Sequence, residues 1–362
     1  MKILFIARPT LFSTPGGDTT QATNTAKALR EIGVEVDIVL SNEKNINYAE
    51  YDLLHLFNII DCEDHLGHVL ICKKPFVIST IYVDYSEFDK KHRKDFIGFL
   101  AKIFPTNFIE YAKTLAKFLL KGEKVSSYKY FMLGHNGTIK FLLKNAAYLL
   151  PNSNSEYNRL YKDFKIHKAY QVVVNAVDTG LFKMVTHLNN KDEKEVLCVA
   201  RMEGRKNQIN LIKAAAGKPY NLTLIGNLSE NQKAYTKECF AAAANNIHFV
   251  PHISQEALLE YYKKAKVHVL PSWFETTGLS SLEAAAMGCN IVVSDKGDVR
   301  EYFGDLAYYC NPSSPESIGS AIDMALKDNV NMELREKVMN EFTWQKAAEQ
   351  TLLAYKKVLK YD

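Results

Sequence analysis

The sequence predicts an α/β protein built from two Rossmann-like, doubly wound parallel-sheet domains. Short apolar runs alternate with stretches of helical spacing in two successive series, one opening at Lys2 and the other at Glu195. After Ala7 and again after Leu270, an apolar run gives way to a glycine-containing loop and then to a helical pattern. Parallel-sheet folds bind ligands at that place, at the carboxyl ends of their strands. A chain of 362 residues is too long for one ordinary core and suits two of about 150–200 residues each. The first domain is expected over residues 1–176 and the second over 177–342.

Composition narrows the function classes. Hydrophobic content of 47% with 24% charged residues is that of a soluble globular protein. No run reaches the roughly 18 uninterrupted apolar residues of a membrane span, and MKILFIA reads as a buried first strand rather than a leader, because Arg8, Pro9 and a glycine pair follow it. The six cysteines lack Cys-x-x-Cys spacing, so neither a zinc site nor a disulfide framework is suggested, and a reducing cytoplasm fits. A net charge of +4 is too small to imply a nucleic-acid partner.

Taken in order, Lys2–Ala7 is a strand and Thr19–Ile32 a helix, with Ala22, Ala26, Leu29 and Ile32 at helical spacing. In the loop between them Gly16 and Gly17 let backbone approach a ligand, though a plain tight turn explains the pair too, and Asp18 with Gln21 reads as the helix cap. Val36–Leu40, Leu53–Phe57 and Pro75–Ile81 continue as strands. His55 alternates within its strand and is read as a hydrogen-bonded structural histidine.

Ser86–Tyr130 breaks the rhythm, with ten basic residues against five acidic ones, a net +5. Lys113, Lys117 and Lys121 recur every fourth residue of a helix whose other faces carry Phe108, Ile109, Ala112, Leu115, Ala116 and Leu119. A solvated lysine stripe over a core is the favoured reading, and peripheral contact with anionic lipid the other. A helix at Asn136–Asn145, a strand at Ala147–Pro151, a helix at Ser155–Lys162 and a strand at Tyr170–Val174 lead to a polar hinge around Asn175–Asp192. The second series has strands at Glu195–Ala200, Asn221–Gly226, Ile247–Val250, Val267–Leu270 and Asn290–Ser294, with helices at Gln208–Ala216 and Gln255–Ala265 among those between them. The chain ends in a helix, Thr343–Leu359.

The candidate site centres on PSWFETTGLSSLEAAAMG, Pro271–Gly288. A helix starting near Leu279–Ser280 offers unpaired N–H groups to an anion such as a phosphate. Glu275 before it and Glu283 in its first turn suit hydroxyl groups on either side of a bound diphosphate, as in a nucleotide sugar. Ser280 with Glu283 is also a capping box, and Glu275 could be a solvated loop carboxylate. Upstream, VARMEGRKNQ sets Arg201 and Lys206 five apart, and both cations can converge on one diphosphate. Arg205 beside them reads as surplus charge. No Asp-x-Asp pair occurs, so no metal is inferred.

Glu275-TTGLSSL-Glu283 together with Arg201 and Lys206 resembles the family-4 (group 1) retaining glycosyltransferases of the GT-B type. Thr277 stands where that family usually has an aromatic residue, and Ser280 where it often has proline. The resemblance implies two Rossmann-like domains facing across a cleft, with the C-terminal helix, residues 343–362, crossing back onto the first. It implies retaining transfer of a sugar, of hexosyltransferase type, from a nucleotide-diphosphate donor to a sugar or lipid-linked glycan acceptor, without cofactor or metal. Surface polysaccharide or glycoconjugate synthesis, in the cytoplasm or at the inner face of the plasma membrane, follows from it. Donor-binding residues would be Gly16, Gly17, Glu275, Thr276, Thr277, Gly278, Leu279 and Glu283, and catalytic residues Glu275, Arg201 and Lys206. Many relatives place a histidine after the strand Pro75–Ile81, where this chain has Ile81, Tyr82 and Asp84. Tyr82 or Asp84 would take its place, or neither. A nucleotide-sugar epimerase, and a catalytically silent nucleotide-sugar binder partnering another transferase, are the alternatives.

Overall fold

Two parallel sheets organise the computed structural model, which describes residues 1–93, 96–121, 125–183, 191–229 and 232–361. The first is β1 (Lys2–Ala7), β2 (Glu35–Leu40), β3 (Leu53–Phe57), β4 (Phe76–Ser79) and β5 (Tyr148–Leu149), in the order β2-β1-β3-β4-β5. The second is β6 (Asp192–Val199), β7 (Asn221–Ile225), β8 (Ile247–Val250), β9 (Ala265–Leu270), β10 (Asn290–Ser294) and β11 (Tyr308–Cys310), in the order β11-β10-β9-β6-β7-β8. Continuous apolar runs such as ILFIA in β1, buried along their length, are what a parallel strand covered on both faces requires.

Each sheet is the centre of one unit. One comprises Met1–Tyr82, Lys94–Asn175 and Trp344–Asp362, and the other Val83–Arg93 and Ala176–Thr343. In the first unit Leu4, Ile6, Leu54, Leu56 and Ile78 pack with Leu66, Leu142 and Leu143. His55 is fully buried: its Nδ1 meets the Tyr355 hydroxyl at 2.6 Å, its Nε2 meets Ser79 Oγ at 2.8 Å, and its ring stacks on Phe57. Burial drives its pKa down to about 3, so it stays neutral, a structural histidine.

The switch point of the second sheet lies between β6 and β9, because the chain builds outward from β6 to β7 and β8 on one side and to β9, β10 and β11 on the other. Leu197 of β6 is in register with His268 of β9. The loops after these two adjacent strands carry Arg201–Lys206 and Pro271–Gly278.

Local differences from the sequence reading have physical causes. Tyr170–Val174 makes only an isolated bridge with Leu149; the bonds Gln171 N–H to Leu149 O and Val173 N–H to Pro151 O form, but Pro151 has no N–H to extend the ladder. β11 is a strand that three residues of sequence did not signal. The Asn136–Asn145 helix begins earlier, at Lys129, and is kinked at Gly134. The first helix spans Gly17–Glu31 with Gly16 as its N-cap, so Asp18 and Gln21 do not cap it: Asp18 takes the Arg8 guanidinium, and Gln21 Nε2 donates to Asn152 Oδ1 at 2.8 Å. Part of the expected hinge, residues 184–190, and the charges Lys94, Asp95, Glu123 and Lys124 lie outside the described residues. Among the described residues no helix is long and apolar enough to cross a membrane.

Candidate active site

The loop after β6 is held by backbone geometry. Gly226 ends β7 at φ +158°, and a Cβ there would lie 2.0 Å from the Ala200 carbonyl oxygen, so only glycine lets the two loops run side by side. The turn Gly204–Lys206 follows, then Asn207 in the left-handed region, φ 61°, which asparagine tolerates. Its side-chain amide donates to the carbonyls of Pro271 at 3.0 Å and Pro312 at 2.7 Å, and Trp273 N–H donates to Arg205 O at 2.9 Å. These bonds tie the loop after β6 to the loops after β9 and β11.

Glu275 is fixed just as closely. Its N–H reaches Lys296 O at 3.4 Å and its carbonyl accepts from Asp298 N–H at 2.8 Å. Gly297 lies against it at φ +89°, where a Cβ would sit 2.0 Å from the Glu275 carbonyl oxygen. The carboxylate is 8% exposed and accepts from Lys206 Nζ at 2.5 Å. Burial disfavours the Lys206 ammonium, but Glu275, with Tyr85 and Glu203 adding, outweighs it, and the lysine pKa ends above its ordinary value. Arg201, half exposed, meets Glu203 at 3.6 Å, and Arg205 holds the other oxygen of the same carboxylate at 3.3 Å. Burial pushes the Glu203 carboxyl up, yet Arg205, Arg201 and Lys206 together hold it below the usual range.

The helix Leu279–Ala286 starts from Gly278, φ 74°, whose carbonyl accepts from Ser281 and Leu282 N–H. Ser280 is therefore inside the helix, and the capping box with Glu283 does not form. The Glu283 carboxylate instead accepts from the Tyr262 hydroxyl at 2.9 Å. Burial raises its pKa to about 7, against the pull of that hydroxyl. The folded chain thus binds the Glu283 proton more tightly than the unfolded chain between about 4.5 and 7. Stability is fullest below that window and declines as pH rises through it. Glu283→Gln should flatten this dependence in thermal melts taken from pH 5 to pH 8; an unchanged slope would show the titration to be elsewhere.

Arg201, Lys206, Glu275, Thr276, Thr277, Gly278, Leu279 and Glu283 all belong to the second unit, on elements that follow β6 and β9. Thr277 is buried, and Thr276 and Leu279 are partly exposed. Gly16, Gly17 and Tyr82 belong to the first unit, while Asp84 groups with the second. Ile81 has φ 44°, a conformation that strains a β-branched residue. Next to it Tyr82 donates its N–H to Glu156 Oε1 and its hydroxyl to Asp163 Oδ2, both at 2.8 Å. Asp84 accepts from Ser86 N–H at 2.9 Å. Sequence reasoning missed Glu203, Arg205 and Tyr262. Only the crowding of charge in MEGRK hinted at the first two, and nothing pointed to Tyr262, 21 residues from its carboxylate partner.

Two parallel-sheet units of this kind define the GT-B class, and solved structures of that class superpose on the whole chain. Sucrose-phosphate synthase from Thermosynechococcus elongatus matches with a TM-score of 0.76 and 16% identity over 100% of both chains. Anabaena HepE, solved in complex with UDP and glucose, matches with a TM-score of 0.69 and 15% identity over 99% of this chain and 100% of its own. Residues 182–344 match the family described as glycosyl transferases group 1. An uncharacterized glycosyltransferase of Methanocaldococcus jannaschii is 28% identical over 46% of this chain and 45% of its own length. The chain spans about half the length of the first curated relatives it matches.

Proposed function

We propose that this protein transfers a hexosyl group from a nucleotide-diphosphate sugar to a hydroxyl acceptor with retention of configuration, without a bound metal, in the synthesis of a surface polysaccharide or glycoconjugate. The observation that carries the reading is the junction of Lys206 with Glu275, on the loops that follow the adjacent strands β6 and β9 at the switch point of the second sheet, with Arg201 on the first of these loops and Glu283 in the helix after the second. The diphosphate takes Arg201, Lys206 and the N-terminus of the helix Leu279–Ala286; sugar hydroxyls donate to Glu275 and ribose hydroxyls to Glu283. As the bond from sugar carbon to phosphate oxygen breaks, its electron pair stays on the diphosphate, where the fixed cations stabilise it. The acceptor oxygen bonds to the same face of the sugar and its proton passes to the leaving phosphate, so neither Tyr82 nor Asp84 need act as base.

The acceptor is proposed to be lipid-linked, met at the cytoplasmic face of the membrane. The helix Thr106–Lys121 supports this: Phe108, Ala112, Ala116, Leu119 and Leu120 are exposed, at spacings of three and four that put them on one stripe, while Ile109 and Thr114 are buried behind it. A merely solvated lysine stripe would not carry that apolar face.

Purified protein incubated with UDP-glucose and GDP-mannose should release nucleoside diphosphate slowly and retain the anomeric configuration in any product. An epimerase would release free sugar epimer, and a silent binder would bind without release. Glu283→Gln should mainly weaken nucleotide affinity, whereas Glu275→Gln should spare nucleoside-diphosphate affinity and lower turnover. Equal small losses at both would count against these assignments.

A further inference from the structure

Val83–Arg93 interrupts the first unit in sequence but groups with the second. Its contacts fall on the loops of the candidate site. The Arg205 guanidinium lies over the Tyr85 ring, 4.3 Å from its centroid, and Tyr85 is edge-on to Phe274 at 6.0 Å. Arg205 in turn shares Glu203 with Arg201. Glu87 Oε2 binds Lys296 Nζ at 2.7 Å, and the Lys296 carbonyl is the acceptor for the Glu275 N–H. His92 stacks on Trp273 at 3.6 Å between centroids, and Trp273 N–H is the donor to Arg205 O. Phe88 is buried over Gly204, where a Cβ would lie 2.8 Å from the ring.

We propose that Val83–Arg93 is a positioning strap for the donor site, setting the two cations and Glu275 through Tyr85 and Glu87. The proposal rests on reading those loops as a nucleotide-sugar site. Each loop that bears Arg201, Lys206 or Glu275 is gripped by a strap residue one bond or one ring away, and no strap residue needs to touch the donor. Partly exposed ion pairs and cation–π contacts are individually weak. They are suited to biasing loop geometry, on which the chemical step depends steeply, rather than to holding the fold. The helix proposed to meet lipid, Thr106–Lys121, begins 13 residues after the strap ends at Arg93.

The test compares wild type, Tyr85→Ala, Tyr85→Phe, Glu87→Gln and the exposed control Lys90→Gln for UDP and GDP binding, for nucleoside-diphosphate release from UDP-glucose and GDP-mannose, and for Tm. Tyr85→Ala should lower kcat about fivefold, the scale of one partly exposed cation–π contact, with nucleoside-diphosphate affinity and Tm little changed. Tyr85→Phe, which keeps the ring, should restore turnover, Glu87→Gln should lower it about threefold, and Lys90→Gln should match wild type. If Tyr85→Ala loses folded protein, the remaining variants still decide. Wild-type turnover in Tyr85→Ala or Glu87→Gln would overturn the strap alone. A wild type that binds neither nucleotide would overturn the site reading and the strap with it.

Discussion

Lys206→Ala is expected to lower turnover by about 10²–10³-fold, or roughly 2.7–4 kcal/mol of transition-state stabilisation. Negative charge on the diphosphate grows as the sugar–phosphate bond breaks, so a preorganised cation counts for more there than in the bound donor. Lys206 is preorganised by Glu275, which holds its ammonium charged in a buried setting. Arg201→Ala should act similarly, and the double variant should lose less than the sum if, as proposed, both cations serve one set of oxygens. Lys206→Ala also strips the cation from a carboxylate only 8% exposed, so Tm and nucleoside-diphosphate affinity must be read alongside turnover. Magnesium should rescue neither variant. Rescue by magnesium, or wild-type turnover in both, would put the diphosphate somewhere else.

Replacing Lys113, Lys117 and Lys121 by Gln should weaken binding to anionic vesicles about 100-fold at low salt, at about 1 kcal/mol per lysine near the surface. The loss should shrink as salt rises, since screening already weakens the wild type. Lys113 should contribute least, because Glu110 holds its ammonium at 2.7 Å. Leu119 and Leu120 are 67% and 85% exposed, and changing both to Ser should cost comparable affinity with little salt dependence. Donor binding should be untouched by either set. Vesicle binding and activity equal to wild type in both sets would return this helix to ordinary surface.

Much of this molecule was legible because its signals are local. Strand, glycine loop and helix at Val267–Ala286 sit within one short stretch, and the apolar runs of β1, β6 and β9 announce strands covered on both faces. Where partners are distant, sequence gave no purchase. The cap assigned to Asp18 failed because Arg8 reaches it first, and the capping-box alternative for Glu283 failed because the helix starts at Gly278 and Tyr262 reaches the carboxylate. Helical spacing located the apolar residues of Thr106–Lys121 but could not say which way they face. Arg205 looked like surplus charge because the ring beneath it, Tyr85, comes 120 residues earlier.

The bond between His55 and Tyr355 spans 300 positions of sequence, and the helix Trp344–Leu359 that supplies Tyr355 packs on the helix Gly17–Glu31. During synthesis at about 5–20 residues per second, β3 therefore waits roughly 15–60 s for its partner. The continuous run Ala176–Thr343, by contrast, is complete before Trp344 is made. The half of the chain that is translated first is thus the half that finishes folding last. Until its closing helix arrives, the face of the sheet bearing Phe5, His55 and Phe57 lacks the cover that Tyr355 supplies. A chain stopped short of Trp344 would keep the elements of the second unit and forfeit the completion of the first.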